Sequence, residues 1–120
     1  MSKKTLVIGA SLKTHRYSNI AIRRLVEKGH DVVAIGLRKG IVAGIEIEVE
    51  KLNFKGIDTV TLYINPSRQP AYYEYILSLN PKRVIFNPGT ENMDFVKLLV
   101  AQDIHAEIAC SLVLLSTGQF

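Results

Sequence analysis

Short, mostly apolar runs recur along the chain at Thr5–Ile8, Asp31–Ile35, Thr59–Ile64 and Arg83–Phe86, with a weaker one at Ala106–Ile108. Between them the apolar spacing becomes that of helices. Over Ser18–Lys28 the apolar positions are Ile20, Ile22, Leu25 and Val26; over Ser67–Leu79 they are Tyr73, Ile76 and Leu77, with Pro70 in the first turn; over Glu91–Gln102 they are Phe95, Leu98 and Leu99. Ser18 is the expected N-cap of the first helix, with Tyr17 and Ile22 at staple positions and Gly29 as its C-cap, and Asn80-Pro81 ends the second helix. Apolar strands alternating with helices are the signature of a parallel sheet covered on both faces. The expectation is an α/β fold: one three-layer Rossmann-like domain over residues 1–120, with a five-stranded parallel sheet in the order 3-2-1-4-5. Residues 40–55 stand apart, because Ile41–Glu50 alternates apolar and acidic positions. That segment reads as an edge strand or an extended crossover whose glutamates face water.

Composition excludes more than it selects. A chain of 120 residues, 48% hydrophobic and 22% charged, is long enough for one packed core and too short for a two-domain enzyme. No apolar run exceeds four residues, Leu112–Leu115 among them, far below membrane-spanning length, and no secretory signal is expected after Met-Ser-Lys-Lys. The lone Cys110 allows no internal disulfide, so a cytoplasmic protein without a membrane partner is expected.

The distribution of charge says more. Residues 1–40 hold nine Lys/Arg against two acids, and residues 41–120 hold six against nine. Arg23, Arg24 and Lys28 read as the solvated face of the first helix. Lys13, Arg16, Arg38 and Lys39 instead lie in loops that a parallel sheet brings to one edge, where they suit a polyanionic small ligand.

The first of these loops carries the strongest signal. The strand Thr5–Ile8 breaks at Gly9-Ala10-Ser11 and passes through a basic loop containing Lys13 and Arg16 into a helix at Tyr17-Ser18-Asn19. Backbone N–H groups at a helix N-terminus hold an anion, and a hydroxyl and an arginine fork would add to them. Gly9, Ser11 and Thr14 stand where the dinucleotide fingerprint has three glycines. At the end of the second strand, about 20 residues on, an NAD-binding domain places a carboxylate for the ribose diol. Here Gly36-Leu37-Arg38-Lys39 supplies two cations instead, which fits a ribose carrying a phosphate, as in NADP or coenzyme A. Solvated loop charges are the competing account of Arg38 and Lys39.

The pattern Gly9-Ala10-Ser11-x-x-x-x-Arg16-x-Ser18-Asn19 resembles the opening motif of the small CoA-binding proteins, whose domain is similar to the nucleotide-binding domain of the succinyl-CoA synthetase α subunit. The resemblance extends through Gly44, Asn65-Pro66, Gly89 and Cys110. It implies that Ser11, Lys13, Arg16, Ser18 and Asn19 hold a pyrophosphate. Gly36, Leu37, Arg38 and Lys39, with Ile64, Asn65 and Pro66, would then frame the adenosine and its 3′-phosphate. Asn87-Pro88-Gly89 completes the candidate set, in place of the Gln-x-Gly that many members carry, just as Gly-Leu-Arg-Lys replaces an Asn-Pro pair after the second strand.

No catalytic constellation or metal-ligand spacing emerges. His15 lies in the phosphate loop, His30 follows the Gly29 cap and His105 sits in a helix-to-strand turn. Cys110 reads as a core residue in preference to a reactive thiol, with no cation close in sequence to lower its pKa. Tyr72, Tyr73 and Tyr75 fit helix packing better than base stacking, so nucleic acid is not the expected partner. The expected function is non-catalytic binding of coenzyme A or an acyl-CoA. The alternatives are an NADP-binding oxidoreductase-type domain and a ligand-free interaction module; homodimerisation is compatible with all three.

Overall fold

The computed structural model describes residues 2–120. Seven strands form one sheet: β1 (Thr5–Ala10), β2 (Val32–Gly36), β3 (Gly40–Val42), β4 (Ile45–Glu48), β5 (Thr59–Leu62), β6 (Arg83–Phe86) and β7 (His105–Ile108). Their spatial order is β3-β4-β2-β1-β5-β6-β7, with every pairing parallel except that of β3 with β4. Four α-helices accompany it: α1 (Tyr17–Glu27), α2 (Tyr73–Leu79), α3 (Met93–Ala101) and α4 (Ser111–Ser116). Among the described residues no helix is long and apolar enough to cross a membrane.

The fold is Rossmann-like, but the strand count and order differ from 3-2-1-4-5. Thr59–Leu62 lies beside β1, not outside β2, and β4 fills the place beside β2. Ala43 and Gly44 both adopt positive φ, 50° and 79°. Two such residues make the tight turn that folds Gly40–Glu48 into a hairpin, so the acidic, alternating segment is indeed an edge.

Strand β1 is the spine. Its alternate side chains enter two cores: Leu6 and Ile8 join Val60, Leu62, Ile76, Phe86, Phe95 and Leu99 on one face, while Val7 and Ala10 join Ile22, Leu25, Ala34 and Leu115 on the other. A fully buried aliphatic side chain contributes about 1.5–3 kcal/mol. A strand that buries both faces therefore tolerates almost no polar substitution. Phe95 fixes α3 by stacking on Tyr73 at 4.4 Å and meeting the edge of Phe86 at 5.8 Å.

Several local expectations change in detail. Arg16, not Ser18, is the N-cap of α1, and Ser18 is buried inside its first turn. The second helix opens as a 3-10 segment, Pro66–Tyr72, with Pro70 inside it. Asn92 caps α3 by accepting from Phe95 N–H, and Leu98 is 42% exposed where the spacing placed it inside. The apolar stretch after Cys110 forms α4, which periodicity over six residues does not distinguish from a strand.

At the pole of the sheet where the strands begin, His30 Nδ1 accepts from Lys3 N–H at 3.0 Å and its ring lies 5.2 Å from that of Phe120. Burial, followed by the nearby Lys3, holds the imidazole below its ordinary 6.5. The unfolded chain then binds more protons in that window, so this contribution is complete at neutral pH and lost as pH falls below about 6.5. Thermal melting from about pH 7.5 to pH 5 should show a decline that His30→Gln flattens; equal slopes in the two proteins would show the ring to be uncoupled from folding.

Candidate functional site

The parallel strands β1, β2, β5 and β6 all end at the same pole, and the chain switches direction along the sheet between β1 and β5. Ligands of open α/β sheets lie at such a point. A cleft of about 240 Å³ opens there, lined by Gly9, Ser11, Arg16, Tyr17 and Ser18 on one side and by Tyr63, Ile64, Asn65, Pro88, Gly89 and Thr90 on the other.

The first wall begins with a break in β1. The register against β2 shifts between Ile8 and Ala10, and Gly9 takes φ +94°. A Cβ at residue 9 would stand 2.7 Å from the Tyr63 carbonyl oxygen, so only glycine allows the two strand ends to approach this closely. The loop that follows is tethered by helix α1. Asn19 Nδ2 donates to Ser11 O at 2.9 Å, Arg23 Nη2 donates to Thr14 O at 2.9 Å, and Arg23 Nε donates to Asn19 Oδ1 at 2.9 Å. Lys13 N–H closes a turn onto Ser11 Oγ at 3.1 Å. Arg23 therefore ties the loop down and is more than a solvated charge.

Helix α1 starts without a side-chain cap and without an acid in its first turn. Its first internal bond is Ile20 N–H to Arg16 O, so the N–H groups of Tyr17, Ser18 and Asn19 remain free of protein acceptors among the described residues. These donors, the positive end of the helix and the exposed Arg16 beside them are groups that could hold an anion.

The second wall is held by buried amides. Gln69 Nε2 donates to Ile64 O at 3.1 Å and Thr90 O at 2.7 Å, and its Oε1 accepts from Asn92 Nδ2 at 3.0 Å. One side chain thus sets the spacing of the loops after β5 and β6. Asn87 Nδ2 donates to Thr61 Oγ1 and Leu62 O, and its Oδ1 accepts from Ser111 N–H. Gly89 N–H donates to Glu91 Oε1 at 2.8 Å. Tyr63 brings a phenol whose buried hydroxyl lacks a hydrogen-bond partner, beside Thr61 and Ser111, which already bond each other at 2.9 Å. Burial pushes that phenol up to about 12.

The structure thus gathers Gly9, Ser11, Arg16, Tyr17, Ser18, Ile64, Asn65, Pro88 and Gly89 from the sequence-derived set. Ala10, Asn19 and Asn87 lie behind the lining, and the amides of the last two are engaged within the protein. Lys13 and Pro66 are exposed on the loops above. Gly36, Leu37, Arg38 and Lys39 are not part of this cleft. A Cβ on Gly36 would sit 2.3 Å from Ala10 O, so that glycine serves the packing of β2 on β1, and Lys39 lines a separate hollow of about 200 Å³ with Ile41, Glu46 and Glu48. Sequence reasoning missed Tyr63, Thr90 and Gln69; the Gln69 bonds span 5 to 23 residues and leave no local signal. Cys110 is half-buried at the start of α4 instead of enclosed in the core. Among the described residues no three metal-ligating side chains converge.

A family model described as a CoA binding domain matches residues 3–116. The chain is similar to a crystal structure described as that of an uncharacterized protein, at 50% identity and TM-score 0.97, covering 100% of this chain and 99% of the other. A protein from Pyrococcus horikoshii OT3, described as hypothetical, shares 27% identity at TM-score 0.81, over 91% of this chain and 77% of that one. One from Thermus thermophilus shares the fold at TM-score 0.86 and 23% identity, covering 99% and 91% of the two chains. No curated protein matches the sequence.

The tether predicts a measurable looseness. Asn19→Ala removes both amide bonds of a buried side chain and should cost about 1–3 kcal/mol. Hydrogen exchange should then accelerate over residues 11–16 while β5 and β6 keep their protection. Unchanged exchange in the loop would show that Asn19 does not hold it.

Proposed function

The chain belongs to the CoA-binding domain family, and from that premise we propose that it binds coenzyme A or an acyl-CoA without catalysing its conversion, as a carrier, sensor or regulatory module. The observation that carries the reading is the uncapped start of α1, where Arg16 and the first-turn residues Tyr17 and Ser18, with free N–H groups, line a cleft at the point where the chain switches direction along the sheet. A pyrophosphate there would exchange water for oriented donors and a bidentate cation. The hydroxyls, amides and one arginine around it are suited to holding an anion.

The cleft is smaller than the roughly 300–1,000 Å³ that encloses a whole drug-sized ligand. Coenzyme A would therefore lie with its phosphates in the cleft and its ends along the surface. Toward β2 it meets Arg38 and Lys39, both exposed, which suit a ribose 3′-phosphate. Toward β6 it meets Pro88–Thr90. A cytoplasmic setting, with Cys110 reduced, belongs to the same reading.

Melting with CoA, dephospho-CoA, NADP, NAD and ADP tests it. Ligand at 100 times its dissociation constant stabilises by about 2.7 kcal/mol, which for this size is a shift of roughly 10 °C. CoA should produce such a shift, and Arg16→Ala should weaken binding about 10- to 100-fold, the worth of a charged hydrogen bond. Replacing Arg38 and Lys39 together by alanine should narrow the gap between CoA and dephospho-CoA. Stabilisation by NADP alone would favour an oxidoreductase-type domain, because two cations after β2 suit a 2′-phosphate equally well. Indifference to every ligand would favour an interaction module.

A further inference from the structure

The two edges of the sheet are finished differently. On one side β3 is only three residues long, its hairpin partner carries Glu46 and Glu48, and Lys39 precedes it. Shortness and charge are how proteins keep an edge from pairing. On the other side β7 has neither lysine, proline nor a bulge, and Ile108 is 56% exposed at its end. His105 N–H and Ala109 N–H donate inward, to Lys82 O at 3.1 Å and Phe86 O at 3.2 Å. By the alternation of a strand, the main-chain groups of Ala106 and Ile108 point away from the sheet, where the described residues offer no partner.

We propose that β7 pairs antiparallel with β7 of a second copy of this chain, about a two-fold axis at Ala106, so that the sheet continues from one protomer into the other. The polar pattern of the strand is complementary to itself in that register, an imidazole opposite a carboxylate. His105 of each copy stands opposite Glu107 of the other, twice over. The Glu107 carboxylate already lies 3.7 Å from its own His105 Nε2 and 3.3 Å from Arg83 Nη1, on the face that the second His105 would approach. Moving the axis to residue 107 would set the two Glu107 carboxylates against each other, and moving it to residue 105 would set Glu107 against Asp103, both unfavourable. On the other face Ile108 comes opposite the position of Ile104 of the second copy, whose side chain is buried in its own core, so the apolar surface it meets is that of Val100 at the end of α3, 60% exposed. Asp103 N–H bonds Val100 O at 3.0 Å, which holds Val100 beside that strand entry. Ala106 at the axis is small enough for close approach. Such an isologous pairing closes after two copies and leaves no further edge of this kind. The interface lies away from the cleft between β1, β5 and β6 and does not depend on which ligand occupies it.

Sedimentation equilibrium of the full chain, with far-UV circular dichroism to confirm folding, tests the pairing. The wild type should sediment at twice the chain mass at roughly 100 μM, a concentration where a modest specific interface is populated. Ile108→Lys places a charge on an exposed position of the strand and should give a folded monomer. Ile41→Lys, on the opposite edge, should leave the dimer intact. His105→Glu puts like charges across the axis and should weaken association at least ten-fold, whereas His105→Lys should dimerise at least as well as the wild type. A monomeric wild type overturns the proposal. So does a dimer broken by Ile41→Lys but not by Ile108→Lys, or one indifferent to the sign of charge at residue 105.

Discussion

The contact on which the rest of the structure depends is backbone against backbone. Where β1 ends, Gly9 turns to φ +94° and lies so close to the Tyr63 carbonyl that no side chain fits between them. That approach lets β1 and β5 pair as far as Ile8 and Leu62 although the chain leaves them toward opposite faces of the sheet. Tyr63 N–H still reaches Ile8 O at 2.8 Å. The cleft exists because the two departing loops are forced apart directly above this point. A larger residue at position 9 would separate the strand ends and lose the ladder bond, so cleft and core share one constraint.

Polar side chains inside the molecule carry the geometry outward from that contact. Gln69 and Asn87 are almost fully buried, and each amide is satisfied on both its donor and its acceptor side. A buried amide without partners would cost about 1–3 kcal/mol, so these side chains constrain loop positions more strictly than apolar packing, which tolerates small slips. Gln69 joins the loops after β5 and β6, and Asn87 joins β5, β6 and the start of α4. The second wall of the cleft is thus fixed by two residues that do not touch the space they shape.

What the sequence made legible follows from the range of the interactions involved. The central strands, α1 and the first loop were readable because their signals, apolar runs and a strand that breaks into a helix, are local. The place of β5 was not, because its side of β1 is decided by where the Gly40–Glu48 hairpin docks, and that hairpin turns on the positive φ of Ala43 as well as Gly44. Ser18 has the residue type of a cap, but it is buried inside the first turn and Arg16 takes the N-cap position. Asn19 and Asn87 read in the sequence as ligand contacts, whereas in the fold their amides are engaged with the protein itself. Gln69 went unread, since nothing in Pro66–Tyr72 marks it apart from its neighbours.

The same range argument bears on how the two basic loops differ. Residues 11–16 are held by Asn19 and Arg23, two side chains one helical turn apart that bond each other as well as the loop. The loop is therefore ordered before any ligand arrives, and little conformational entropy is left to lose on binding. Leu37, Arg38 and Lys39 have no such tether among the described residues, and Leu37 is 75% exposed. Ordering each long side chain there would cost about 0.5–1.5 kcal/mol, comparable to the screened attraction an exposed cation can offer. On the proposed reading, orientation of a polyanion comes from the α1 terminus, with the second loop contributing chiefly to discrimination between ligands that differ by one phosphate. The two loops carry equal charge and differ in how firmly the fold organises them.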